Sequence, residues 1–139
     1  MKKKIFIVVA DYYKDISTGL LNSAKTKLKT SYTIKIIRVS GVFEIPVTIS
    51  KNIKKHDGFI ALGCVIKGET PHFEFISRAS IDAIMKLSID SKKPIGNGII
   101  TCLNVDQATV RSKTKGNEAV MTVIEVLKND SKNWEEFLT

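Results

Sequence analysis

Gly58-Phe59-Ile60-Ala61-Leu62-Gly63-Cys64-Val65-Ile66-Lys67-Gly68-Glu69-Thr70-Pro71-His72 decides how this chain folds. Gly58 to Ile66 is nearly all apolar, the pattern of a central strand buried on both faces. Lys67-Gly68 breaks the run. Thr70-Pro71 then reads as a helix start, with Thr as N-cap and Pro at the first helical position, where a missing N–H costs nothing. Ile76, Ala79, Ala83 and Leu87 continue one apolar helical face.

The same alternation extends outward in both directions. Lys3 to Ala10 is a short run rich in Ile and Val and reads as a buried strand. From Asp15, the spacing of Ile16, Leu20, Ala24 and Leu28 predicts a helix. Ser31 to Val39 alternates Tyr32, Ile34 and Ile36 with more polar neighbours, as a second strand would, and Gly41 breaks it. A short helix is expected from near Glu44 to about Lys55, with Pro46 in its first turn. Downstream, Pro94 to Thr101 is a fourth strand, Asn104 caps a short helix toward Arg111, and Val120, Val123, Ile124 and Leu127 mark a last helix after Gly116. Strands alternating with helices predict a parallel four-stranded sheet inside a three-layer α/β/α sandwich. Residues 1–139 are expected to form a single domain, with 130–139 a polar tail carrying Trp134 and Phe137. In open sheets of this kind ligands sit beyond the carboxyl ends of the strands. The loops after residues 10, 39, 66 and 101 are therefore expected to face one ligand.

A chain of 139 residues can bury a core without disulfides or a structural metal. No apolar run approaches the length of a membrane span, and the one after Met1-Lys2-Lys3-Lys4 is too short for a signal-peptide core. A cytoplasmic protein without membrane contact is expected. The net charge of +8 comes mostly from lysines spread along the chain. That is the pattern of a solvated basic surface, and nucleic-acid binding lacks a motif. Cys64 and Cys102 are far apart and have no partner at metal spacing, so they read as reduced, partly buried thiols, and no metal or cofactor is expected.

Three of the four loops carry residues suited to chemistry. In Ser40-Gly41-Val42-Phe43-Glu44-Ile45-Pro46, glycine lets the backbone turn and approach a ligand. Phe43 and Glu44 offer a ring face and a carboxylate to a planar heterocycle, or equally a core side chain and a helix-start acid. In the second, free N–H groups around Gly68, Glu69 and Thr70 can cradle an anion beside Lys67. His72 falls at the second position of the expected helix, where the dipole disfavours protonated imidazole, which suits it to take and return a proton. A structural histidine fits the same pattern, and His56, in its Lys-Lys-His-Asp turn, reads as simply exposed. The third segment, Thr101 through Gly116, holds Gln107, Arg111 and Lys115. A guanidinium there can clamp a phosphate or stand free on a helix surface.

Taken in order, these segments identify a family. The chain resembles lumazine synthases from about Lys3 to Asn129. The family's Pro-Gly-Ala-Phe-Glu-Ile-Pro stands here as Ser40 to Pro46, and its Gly-x-Val-Ile-Arg-Gly-x-Thr-x-His as Gly63 to His72. The later Gly-x-x-Thr, Gln-Ala, Arg and Lys-Gly elements stand as Gly98 to Thr101, Gln107-Ala108, Arg111 and Lys115-Gly116. The resemblance implies a flavodoxin-like sheet and a cofactor-free condensation of 5-amino-6-ribitylaminouracil with 3,4-dihydroxy-2-butanone 4-phosphate, which releases phosphate and water. It implies that Tyr12 stacks on the pyrimidine, that Val42, Phe43 and Glu44 hold the pyrimidine and its ribityl chain, and that Cys64, Val65 and Ile66 line the same pocket. Glu69 and Thr70 would contact the sugar phosphate and His72 would transfer protons. Asn97 takes the place of a pocket aromatic, Arg111 that of the phosphate-binding arginine, and Lys115 that of a nearby lysine.

The resemblance also implies a homopentamer with active sites between subunits, Asn97, Arg111 and Lys115 coming from the neighbour. Only Ser112, Lys113 and Thr114 separate Arg111 from Lys115-Gly116, fewer than in relatives that close into icosahedral capsids. A free pentamer, or at most two stacked, is expected. The chain departs from the family at Tyr12 for phenylalanine, Ser40 for proline, Val42 for alanine and Lys67 for arginine. None of these removes a group the chemistry needs. Two other readings compete: a pentameric riboflavin synthase, which should not keep the full Gly-Glu-Thr-Pro-His element with Arg111, and a non-catalytic lumazine- or flavin-binding homologue. A signalling domain of this fold would need clustered acids at the end of the first strand, where Asp11 stands alone.

Overall fold

The computed structural model describes residues 2–28 and 30–129; the expected polar tail, 130–139, lies outside the described residues. Four strands, β1 (Lys3–Ala10), β2 (Tyr32–Val39), β3 (Gly58–Ile66) and β4 (Ile95–Cys102), form one parallel sheet of order β2-β1-β3-β4. The two most apolar runs, β1 and β3, take the centre, because only there are both faces of a strand covered.

Side chains alternate between two cores. Ile5, Ile7 and Val9 of β1, with Ile60, Leu62 and Cys64 of β3, meet α1 (Lys14–Lys25), α4 (Val105–Ser112) and α5 (Lys115–Lys128). Phe6, Val8, Phe59 and Ala61 point the other way, toward a 3-10 turn (Val42–Glu44), α2 (Ile45–Asn52) and α3 (His72–Ser91). The three-layer parallel α/β/α architecture is the one expected. At the crossing of α1 and α5, Gly116 allows a contact that no other residue would. A Cβ there would run into the Leu20 carbonyl oxygen and stand 2.8 Å from the Ala24 nitrogen.

Two differences in helix boundaries bear on the site. The helix expected from Glu44 to Lys55 is a 3-10 turn followed by a shorter α2. Its start is tightened because the Glu44 N–H donates to the Gly41 carbonyl at 3.2 Å. It stops at Asn52 because the chain must turn into β3. The Asp57 N–H donates to the Lys4 carbonyl, and the Lys4 N–H donates to Asp57 Oδ2, each at 2.8 Å. Likewise α3 begins at His72, with Pro71 as the capping position and no side-chain cap. Pro71 has ψ of 5°, outside the helical range, while its carbonyl accepts the Glu74 and Phe75 N–H groups at 3.0 and 3.3 Å. His72 is therefore the first helical residue, not the second. The Asn104 cap is as expected, its side chain accepting the Gln107 N–H at 2.9 Å.

Candidate active site

A pocket of about 460 Å³ opens beyond the carboxyl ends of β1 and β3. That is within the range of small-molecule sites, and it is where an open parallel sheet places one. Three loops build it. The β1–α1 loop supplies Tyr12 and Tyr13, the turn after β2 supplies Gly41 to Glu44, and the end of β3 with the start of α3 supplies Cys64, Val65, Ile66, His72 and Ile76. Gly63 decides how closely the second loop approaches. A Cβ on it would fall 2.7 Å from Val42 Cγ2 and 3.1 Å from the Ala10 Cβ. Without that Cβ, Val42 seats on the sheet and carries Phe43 and Glu44 to the pocket wall.

The mouth is aromatic. Tyr12 is 69% exposed and Phe43 61%, and the Tyr12 and Tyr13 rings lie 4.9 Å apart with their planes tilted by 56°. Exposed ring faces beside an apolar wall suit a flat, partly polar ligand. Beside them Arg38 Nη1 and Asp11 Oδ1 form a 3.1 Å ion pair, and the Asp11 N–H donates to the Val39 carbonyl at 2.8 Å. The ends of β1 and β2 are thereby tied together under both loops. Burial pushes the Tyr13 hydroxyl pKa up, with smaller contributions from Tyr12 and Cys64.

Cys64 lines the pocket with 6% exposure. Burial first, and then the neighbouring Cys102 thiol, push its pKa up to about 12, against the opposing charge of Arg111. It is thus a neutral thiol, a weak donor in the wall and no nucleophile. Among the described residues, no three His, Cys, Asp or Glu side chains are grouped as a metal would need.

The structure brings Tyr12, Val42, Phe43, Glu44, Cys64, Val65, Ile66 and His72 together, as the sequence suggests. Glu69 and Thr70 are exposed in the loop between Ile66 and His72. The loop after β4 behaves differently: none of Asn97, Arg111 and Lys115 lines this pocket. Asn97 is exposed on the edge strand β4, paired with Ala61, and its Oδ1 accepts the Ile99 N–H at 3.1 Å. Arg111 lies on α4, on the opposite layer from the 3-10 turn, and lines a separate shallow hollow with Asp106, Gln107 and Val110. Its Nη1 donates to the Thr101 carbonyl at 3.2 Å and stands 3.9 Å from Cys102 Sγ. Lys115 Nζ is 3.8 Å from Glu118 Oε2. Three of the four loops expected to face one ligand line this pocket; the loop after β4, which leads into α4, does not.

Tyr13 and Ile76 line the pocket too, although neither carries a site signal strong enough to mark it in the sequence. The doubled tyrosine after β1 was the available signal for the first. Ile76 looked like any residue of an apolar helical face. Gly41, whose turn is expected to let the backbone approach a ligand, lines the pocket as well.

Comparison with known proteins decides the family. The family model described as 6,7-dimethyl-8-ribityllumazine synthase matches residues 2–130. The chain belongs to this lumazine synthase family. It is 38% identical over 137 residues to the 6,7-dimethyl-8-ribityllumazine synthase of Afipia carboxidovorans, covering 90% of this chain and 84% of that protein. It is 39% identical over 142 residues to that of Agrobacterium fabrum, covering 91% and 96%. It is 45% identical over 117 residues to that of Bartonella henselae, covering 81% and 76%. In this chain, the Ser40 to Pro46 and Gly63 to His72 segments that carry the family pattern are also the two that form most of the pocket.

Proposed function

We propose that the chain is a 6,7-dimethyl-8-ribityllumazine synthase, joining 5-amino-6-ribitylaminouracil to 3,4-dihydroxy-2-butanone 4-phosphate. The observation that carries this reading is the pocket's construction, in which the two family motifs converge with Tyr12 and His72 on one cavity. The pyrimidine stacks on Tyr12 beside Phe43, with Glu44 accepting its polar hydrogens and Cys64, Val65 and Ile66 behind it. The amine attacks the ketone and water leaves as the imine forms. Phosphate is then eliminated, and the ribitylamino nitrogen closes the ring with loss of a second water. His72 moves the protons, and holding two substrates in register supplies much of the acceleration.

The phosphate falls to the backbone N–H groups of Glu69 and Thr70 with Arg111 and Lys115, and Asn97 completes the wall. None of the last three lines this chain's own pocket, which supports the reading that they act from a neighbouring subunit of a homopentamer. The chain works as a single domain, in the cytoplasm. Incubation with both substrates should give lumazine fluorescence and stoichiometric phosphate, and neither substrate alone should do so. Conversion of added lumazine to riboflavin in place of lumazine formation would favour a riboflavin synthase, and tight flavin binding without turnover would favour a binding homologue.

A further inference from the structure

Ser40 stands where the lumazine synthase pattern has proline, and its side chain does something proline cannot. Its hydroxyl donates to Glu44 Oε1 at 3.3 Å. The 3-10 turn brings the two residues together, since the Glu44 N–H is bonded to the Gly41 carbonyl. The carboxylate folds back over its own turn, and a Cβ on Gly41 would stand 3.0 Å from the same Oε1. The ion pairs among the described residues are Arg38–Asp11, Lys86–Asp90 and Lys115–Glu118, so no cation holds Glu44. Its anchor is the neutral Ser40 hydroxyl, in a space that Gly41 leaves open.

We propose that Ser40 is a positioning residue for the pyrimidine substrate. By engaging Oε1 it selects one rotamer of Glu44 at the pocket wall. The remaining acceptor sites of the carboxylate stay free for the N–H groups or ribityl hydroxyls of the ligand. Glutamate loses much rotamer freedom when a ligand orders it, and a side chain held beforehand loses less on binding. The inference rests on the lumazine synthase reading and adds to it a specific role for a residue at which this chain departs from the family.

Kinetics of Ser40→Ala and Ser40→Thr test it, alone and in a Glu44→Ala background, with calorimetric titration of ribitylaminouracil alone as a second measure. Ser40 is exposed, so the variants should melt with the wild type. Ser40→Ala should raise the KM for the pyrimidine, and its calorimetric Kd, about two- to tenfold, the range of one modest hydrogen bond. Its kcat and its KM for the sugar phosphate should stay within about twofold, and Ser40→Thr should restore the pyrimidine KM. In the Glu44→Ala background Ser40→Ala should have no further effect, because the two residues act as one unit. An unchanged pyrimidine KM and Kd, an equal rise in both KM values, failure of Thr to rescue, or a full effect without Glu44 would each overturn the proposal. If the wild type binds the pyrimidine but makes no lumazine, the functional reading fails while the calorimetric comparison still judges Ser40.

Discussion

The Thr70 hydroxyl accepts the backbone N–H of His72 at 3.4 Å, where the β3–α3 loop becomes helix. His72 therefore heads α3 with its side chain at the pocket rim, held by the backbone and not by packing. His72→Ala should leave the fold intact and slow turnover by about ten- to a thousandfold, since positioning survives and proton transfer is lost. Single-turnover rates measured beside a melting curve check this. An unchanged rate would take His72 out of the mechanism.

Arg111→Ala should raise the KM for the sugar phosphate far more than that for the pyrimidine. Arg111→Lys should rescue it only in part, because an ammonium lacks the planar fork. In the folded chain Arg111 also donates to the Thr101 carbonyl. A purely structural role would thus appear as equal effects on both substrates together with a lowered Tm.

Gly116→Ala should destabilise the protein by about 1–3 kcal/mol, the usual cost of overfilling a packed contact. The added Cβ meets backbone of α1, which cannot swing aside as a side chain tip can. Denaturant titration should show a lower midpoint at unchanged slope. Wild-type stability would contradict the close α1–α5 crossing.

His56 supplies a pH dependence. Expected to be simply exposed, it is half-buried, its ring tilted by 50° against Phe6 with centroids 4.9 Å apart, and burial lowers its pKa from the ordinary 6.5. The backbone bond to Asn52 opposes that shift, Lys35 and Lys4 add to it, and Asp57 opposes it. With the folded pKa below the unfolded one, the unfolded chain binds more protons between the two values. Stability from this group is thus fully present above pH 6.5, falls as the pH drops through that window, and levels off below the folded pKa. His56→Gln should flatten the difference in stability between neutral and mildly acid pH. A wild-type profile that rises on acidification would contradict the burial of the ring.

Sedimentation of the purified protein should give a pentamer, or two stacked pentamers, and no closed shell. Only Lys113 and Thr114 join α4 to α5, and a linker this short changes the angle between these helices, which sets how pentamers meet. A closed shell needs one heterologous contact repeated without accumulated error. A capsid-sized species would refute this, and a fully active monomer would refute the shared site as well.

The bounds of β1 and β3 were legible in the amino-acid sequence because a strand covered on both faces must be a continuous apolar run. So was the Asn104 cap, a bond between residues three apart. The Ser40 to Pro46 and Gly63 to His72 motifs marked most of the pocket for a similar reason, since each is one local turn at a strand end. Tertiary structure alone decided the rest. It chose the order β2-β1-β3-β4, which sets the β1 loop beside the β3 loop at the centre of the sheet. Packing on opposite faces of the sheet separates Arg111 on α4 from His72 on α3, and tertiary contacts bring Tyr13 and Ile76 into the lining and end α2 at Asn52 so that Asp57 can meet Lys4. These are contacts between residues distant in the chain, and their energies come from neighbours that no local window of sequence contains.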